Sequence, residues 1–206
     1  MKRTNTRRQR EIKSFVTENR RLFPFVGLFI LGAACGVGIF LSARAHFDPL
    51  GPLLRVQAVE SGAIGWLSAW CNRCFGTLGL LAALYLLGLW ACGAPFVLAV
   101  PLFYGLGLGL TEGYYYAMGQ EGVIAVAALI LPHGLLTATV LVAAAAESLR
   151  LSARLSRQLL PDREESDGLW DHFRLYSLWY LLFVAVAAAI GALDTLLRLL
   201  LGGILP

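Results

Sequence analysis

Charge is what this sequence is short of. Only 15% of its 206 residues are Asp, Glu, Lys or Arg, while 58% are hydrophobic and the mean hydropathy is +0.68. Soluble domains carry about 25% charged residues, which excludes water as the solvent for most of this chain. Histidine is also scarce, with three in all, and none stands at metal-ligand spacing from the four cysteines, Cys35, Cys71, Cys74 and Cys92. No metal site and no cofactor are therefore expected. Cys71-x-x-Cys74 offers two thiols, too few for a zinc site by themselves, and leaves interface packing or an exterior disulfide open. No serine, cysteine or paired carboxylate is placed to act as a nucleophile with a histidine, so an enzyme is not expected. The net charge of +4 lies beside apolar runs instead of forming a basic domain, and nucleic acid is not expected as a partner.

What the chain has is long uncharged stretches. A hydrocarbon layer about 30 Å thick needs about 20 helical residues to cross it. Residues 22–43 supply one such run. Residues 74–111 form a second, which as a single helix would reach about 57 Å, far too long for one crossing. Cys92-Gly93-Ala94-Pro95 offers a turn within it, because glycine relaxes the backbone and proline suits the first turn of a following helix. The expected architecture is all-α: a polytopic integral membrane protein with about five transmembrane helices, near 22–43, 74–91, 95–117, 122–146 and 175–198. Residues 1–21 form a basic segment ahead of this membrane domain, which covers 22–206. Ala43-Arg44-Ala45 resembles a signal-peptidase site, but the preceding uncharged run is longer than the roughly 7 to 15 residues of a signal-peptide core, so the first span is read as a retained anchor.

Lysine and arginine set the direction. With the N-terminus in the cytoplasm, cytoplasmic segments hold Lys2, Arg3, Arg7, Arg8, Arg10, Lys13, Arg20 and Arg21, together with Arg150, Arg154, Arg157, Arg163 and Arg174. The exterior holds only Arg44, Arg55, Arg73 and Arg198. This bias predicts a cytoplasmic N-terminus and an exterior C-terminus. Trp66 and Trp70, Tyr114 to Tyr116, and Trp170, Tyr176 and Tyr180 fall near span boundaries and are read as interface aromatics. Leu151, Leu155 and Leu159 predict that Ser148 to Leu160 extends the fourth helix along the inner membrane surface, with Pro161 ending it. The acidic stretch from Asp162 to Asp171 is read as a solvated loop or a partner-binding patch.

Few polar residues fall within the spans. His133 lies about 16 Å past the turn at Gly119-Gln120-Glu121-Gly122, near the bilayer middle. Pro132 beside it has no amide hydrogen, and Gly134 permits close packing, so the triplet marks a kink. Its role is either a packed kink with an interhelical hydrogen bond or part of a polar path. Glu112 lies about 10 Å from the same turn, and serves either as an interfacial carboxylate or as the acid of such a path. Asp194 and Arg198 stand four apart and can pair on one helix face. Gly32-x-x-x-Gly36 and Gly105-x-x-x-Gly109 let helix backbones approach, either within the chain or between copies, so an oligomer stays open.

Three stretches carry a family resemblance: REIKSFVTENRRLFPFVGLFILGAACGVGIF from Arg10 to Phe40, APFVLAVPLFYGLGLGLTEG from Ala94 to Gly113, and ILPHGLLTATVLVAAAAESLR from Ile130 to Arg150. Together they resemble stage II sporulation protein M of endospore-forming bacteria, with Pro132-His133-Gly134 the most specific element. Broader relatives often carry a glutamate three residues after that glycine, where this chain has Thr137. The resemblance implies a noncatalytic scaffold at the sporulation septum for peptidoglycan remodelling during engulfment. Its implied partners are the cell-wall hydrolases called stage II sporulation proteins D and P, contacted by exterior segments. The alternative reading is a small transporter or permease subunit with a polar path at Glu112 and His133.

Overall fold

Proline and glycine decide where the helices start and turn. Pro24 lies in the first turn of α1 (Phe23–Ser42) and Pro95 in that of α3 (Ala94–Tyr116), where a missing amide hydrogen breaks no helical bond. Between α2 (Ala63–Leu89) and α3 the chain turns through Gly93, where a Cβ would lie 2.0 Å from Leu87 O. Beyond α3, Gly119 adopts φ +88°, a backbone state that glycine tolerates best. It leads into α4 (Gln120–Ala125), a π-turn over Val126–Ile130, α5 (Leu131–Gln158) and finally α6 (Leu169–Leu201).

The computed structural model describes residues 22–43, 63–158 and 169–201. The basic segment 1–21, residues 44–62, residues 159–168 with most of the acidic stretch, and the last five residues lie outside the described residues. Among the described residues every element is helical. Five helices are long and apolar enough to cross a membrane: Phe23–Ser42, Gly65–Leu89, Ala94–Tyr116, Gly122–Ser156 and Phe173–Leu200. The protein is thus an all-α, multi-pass membrane protein. Its large apolar side chains point outward as well as inward, Phe75 being 80% exposed and Leu181 70%, as suits a surface meeting lipid.

Three spans run past the charges that bounded them in the sequence. The second helix begins at Ala63 and passes through Arg73, the fourth runs on through Glu147 and Arg150, and the fifth continues past Arg198. Each of these charges has an ionic partner, Arg73 and Arg198 sharing Asp194 while Arg150 pairs with Glu147. The end of α5 also departs from the expected surface helix. Leu151, Ser148 and Ser152 are buried in the bundle, and Leu155 packs against the core. Beyond residues 159–168, α6 already begins at Leu169, so Asp171 belongs to a helix.

In the bundle, α1 packs on α3, and α5 contacts α2, α3 and α6. The ends can be named by the chain: the proximal end carries the start of α1 and the α2–α3 turn, and the distal end carries the α3–α4 turn. The α1–α3 seam is made of glycine. A Cβ on Gly32 would lie 2.2 Å from Leu102 O, and one on Gly36 2.3 Å from Leu106 O. Reciprocally, Gly105 faces Phe29 O at 2.3 Å and Gly109 faces Ala33 O at 2.1 Å. Contacts on both helices advance in the same direction, so the pair is parallel, and the two GxxxG spacings face each other within one chain. Gly38 and Gly107, on the same helices, have open space beside them.

Valine at Gly36 or Gly109 is expected to lower stability by about 1–3 kcal/mol, since the backbone opposite cannot retreat like a flexible side chain. Gly107→Ala should leave stability unchanged or raise it by up to about 1 kcal/mol through helix propensity. Thermal unfolding in detergent micelles measures both effects, and equal behaviour of Gly107 and Gly109 variants would contradict the seam.

Candidate functional site

The polar residues of the distal half gather around one carboxylate. Asp194 of α6 is 2% exposed, and its Oδ2 accepts from Arg198 Nε, one turn on, at 2.8 Å. The same oxygen accepts from Arg73 Nη1 of α2, also at 2.8 Å. Two guanidinium groups and one carboxylate leave a formal excess of one positive charge among these three residues. Cys74 and Trp70 bring α2 against the same stretch of α6: a Cβ on Gly191 would meet Cys74 Sγ at 2.7 Å, and Trp70 Nε1 donates to Ala188 O at 3.1 Å. The glycine lets the two helices close, and the ion pairs then lie in a low-dielectric interior.

His133 approaches this group from α5. The fields of Asp194, Arg198 and Arg73 all act on its ring, and its Nδ1 is buried without a hydrogen-bond partner among the described residues. Asp194 Oδ1 and Arg198 Nη1 are in the same condition. The neighbours of His133 in its triplet do structural work. A Cβ on Gly134 would lie 2.8 Å from Leu108 Cδ1 of α3, and Tyr104 Oη donates to Gly134 O at 3.4 Å. Thr137, one turn on, is 1% exposed. The distortion expected at Pro132 falls just before it, as the π-turn over Val126–Ile130, closed by Leu131 N–H bonding to Val126 O. Widening that turn is a standard way to relieve the clash between a proline ring and the carbonyl four residues back.

Glu112 is half-buried on α3, and its field acts on Tyr116, one turn further along the same helix. The charges whose fields act on His133 come from α2 and α6. Chemically, the distal cluster can clamp helices and hold charge within the membrane. Its excess positive charge disfavours a metal cation, and the shared Asp194 oxygen is already occupied by two donors.

A second polar cluster closes the proximal half. Ser148 of α5 is fully buried, with its Oγ 2.9 Å from Leu84 O and 3.0 Å from Ala144 O. The Tyr180 hydroxyl lies within hydrogen-bond reach of the same Oγ, and the Tyr176 hydroxyl is 3.2 Å away. Tyr176 Oη also donates to Tyr85 O at 3.0 Å, while Tyr85 Oη and Ser177 Oγ pair at 3.1 Å. Gly88 makes this possible, because a Cβ there would lie 2.2 Å from Tyr176 Oη. Ser152 Oγ donates to Trp90 O at 2.8 Å, supplying a partner beyond the end of α2 where carbonyls run out of helical donors.

Sequence reading left Ser148, Ser152, Gly88 and Tyr85 unmarked and placed Tyr176 and Tyr180 at a membrane surface. Both tyrosines are 5% exposed inside the bundle. A usable signal was present: Ser148 and Ser152, like Tyr176 and Tyr180, are four apart and therefore share a helix face. Trp70, also read as an interface aromatic, has its indole bonded across to α6. Cys71 is exposed, Cys74 is buried, and both are free thiols.

Asp194→Ala leaves the buried Arg198 without its carboxylate and is expected to cost about 3–5 kcal/mol. Replacing Arg73, Asp194 and Arg198 together by leucine or methionine should recover most of that loss, since apolar packing can substitute for a buried ionic group. Ser148→Ala should cost only about 1 kcal/mol, because the tyrosine hydroxyls keep backbone carbonyls as partners. Unfolding midpoints of the purified variants in one detergent give the ranking. A triple variant no more stable than Asp194→Ala would show that the ionic group does more than clamp helices.

Neither a curated protein nor a solved structure matches the chain significantly. A family model described as stage II sporulation protein M matches residues 25–195, which takes in nearly all of α1 through most of α6, and with them the glycine seam, the proximal polar cluster and the distal cluster apart from Arg198. The match spans most of the 206 residues, and the chain belongs to the stage II sporulation protein M family.

Proposed function

We propose that this protein is a noncatalytic membrane scaffold of the engulfment machinery in endospore formation, holding septal peptidoglycan hydrolases in place. The observation that carries the reading is the family match over residues 25–195. The packing is compatible with it: an ionic group ties α2 to α6 at one level and buried hydroxyls tie α2, α5 and α6 at another, which suits a rigid support. The partners are stage II sporulation proteins D and P, as the resemblance implies. The protein sits in the cell membrane at the sporulation septum, N-terminus in the cytoplasm and C-terminus outside, following the basic-residue bias. The exterior segment after α1 and the distal helix ends then face the wall and form the contact surface.

A second reading, a small transporter or permease subunit, keeps one point in its favour. His133 Nδ1 and Asp194 Oδ1 are buried polar atoms without hydrogen-bond partners among the described residues, a condition common in intramembrane paths. Such a path would run through His133 and Asp194.

Co-purification from sporulating cells in mild detergent is expected to recover both hydrolases with the wild-type chain. Deleting the gene should stall engulfment under a membrane dye, and Glu112→Ala and His133→Ala should each still support it. Normal engulfment in the deletion strain would sink the sporulation role, whereas failure of His133→Ala alone, with the protein still inserted, would favour the polar path. Reporter fusions at the two termini check the orientation, which a cytoplasmic C-terminus would overturn.

A further inference from the structure

At the proximal end, α1 leans on α3 and leaves a gap toward the last turns of α5. The gap is a crevice of about 640 Å3 lined by Pro24, Phe25, Ala146, Leu149, Ala153 and the two arginines Arg150 and Arg154. Its size lies within the roughly 300–1,000 Å3 common for small-molecule sites. Its chemistry is divided. Pro24, Phe25, Ala146, Leu149 and Ala153 form an apolar wall, and the arginines stand one helical turn apart along one side.

The position matches that division. The uncharged run of the fourth span ends at Ala146, so Arg150 and Arg154 stand about 6 and 12 Å beyond it along the helix. Pro24 and Phe25 belong to the first turn of α1, where the first span begins. The crevice therefore opens where hydrocarbon gives way to headgroups, whichever side of the membrane that end faces. Glu147 pairs with Arg150, so among the described residues these two and Arg154 carry a net charge of +1: two arginines less one glutamate. Arg154 is exposed. One phosphodiester matches that net charge, and an acyl chain attached to it would find the apolar wall.

We infer that the crevice between α1 and α5 binds one anionic phospholipid, its phosphate at Arg150 and Arg154 and an acyl chain against Pro24, Leu149 and Ala153. Basic pockets between helices at a membrane surface recognise anionic headgroups by this combination of charge and apolar contact. The Arg150 guanidinium is oriented by Glu147, while Arg154 pairs with no acid among the described residues. The inference rests on the fold alone and stands apart from the scaffold reading.

Native mass spectrometry of the full chain in mild detergent tests it, with phosphatidylglycerol and phosphatidylcholine supplied in equal amounts. The wild type should retain one phosphatidylglycerol in clear preference to phosphatidylcholine. Arg154→Gln should lower that retention about fivefold, the effect of one basic residue near a membrane surface. Arg174→Gln, which alters an exposed arginine of α6 outside the crevice, should leave it unchanged. Ala153→Phe fills the apolar wall and should reduce retention without altering charge, a check that does not depend on the arginines. Equal retention of the two lipids, or no loss in either crevice variant, would overturn the inference. So would displacement of the lipid by millimolar inorganic phosphate, which would make the site one for free phosphate. Higher retention after Asp162, Glu164, Glu165 and Asp167 are changed to their amides would also overturn it, because the chain's own acidic stretch would then be the occupant.

Discussion

A single carboxylate oxygen lets the second helix be a membrane span of full length. Arg73 sits well inside α2, where an unpaired guanidinium would carry a severe desolvation cost. Asp194 Oδ2 meets it at 2.8 Å and meets Arg198 at the same distance. The pairing has geometric requirements. Two helices must approach until Gly191 touches Cys74, and α6 must run on far enough to present both Asp194 and Arg198 on one face. The length of α2, the closeness of α6 and the field around His133 all follow from satisfying these charges together.

The rest of the bundle is fastened by different chemistry at each contact. Between α1 and α3 no side-chain bond is needed, since glycines bring backbone against backbone and dispersion supplies the attraction. At the proximal end, hydroxyls of Ser148, Ser152, Tyr176 and Tyr180 bond to carbonyls of neighbouring helices. Such bonds suit a membrane interior, where apolar side chains gain little by leaving lipid for protein. Helices α2 and α6 take part in both polar clusters, through Arg73 with Asp194 and Arg198 in one and through the Leu84 and Tyr85 carbonyls with Tyr176 in the other. That shared role makes them the pair through which the two ends are held in fixed relation.

Much of the fold was legible because lipid imposes length and apolarity, which a one-dimensional pattern records directly. The glycine pairs at Gly32, Gly36, Gly105 and Gly109 were visible as spacings, although spacing alone could not say whether their partner was this chain or a copy of it. Charges were the harder part. Arg73, Glu147 and Arg150 interrupt uncharged runs and so read as the ends of spans, while in three dimensions each finds an opposite charge. The partner of Arg73 lies some 120 residues away, beyond the reach of any local pattern. Tyr176 and Tyr180 were obscured for a related reason: a tyrosine near a span end looks the same in sequence whether its hydroxyl meets headgroups or a buried serine.

The π-turn before Pro132 carries a consequence for register. A turn closed from residue 131 to residue 126 holds one more residue than an α-helical turn, so it offsets the rod on one side from the other by about 100° about its axis. Val126 and Ile130 are both buried, so the widened turn lies in the packed interior. The extra residue acts as a phase setting between the Gly122 end, which must close on Tyr115, and the Gly134 face, which must meet Leu108. Removing one residue from Val126–Ile130 would restore uniform pitch and leave those two faces unable to find their neighbours at once.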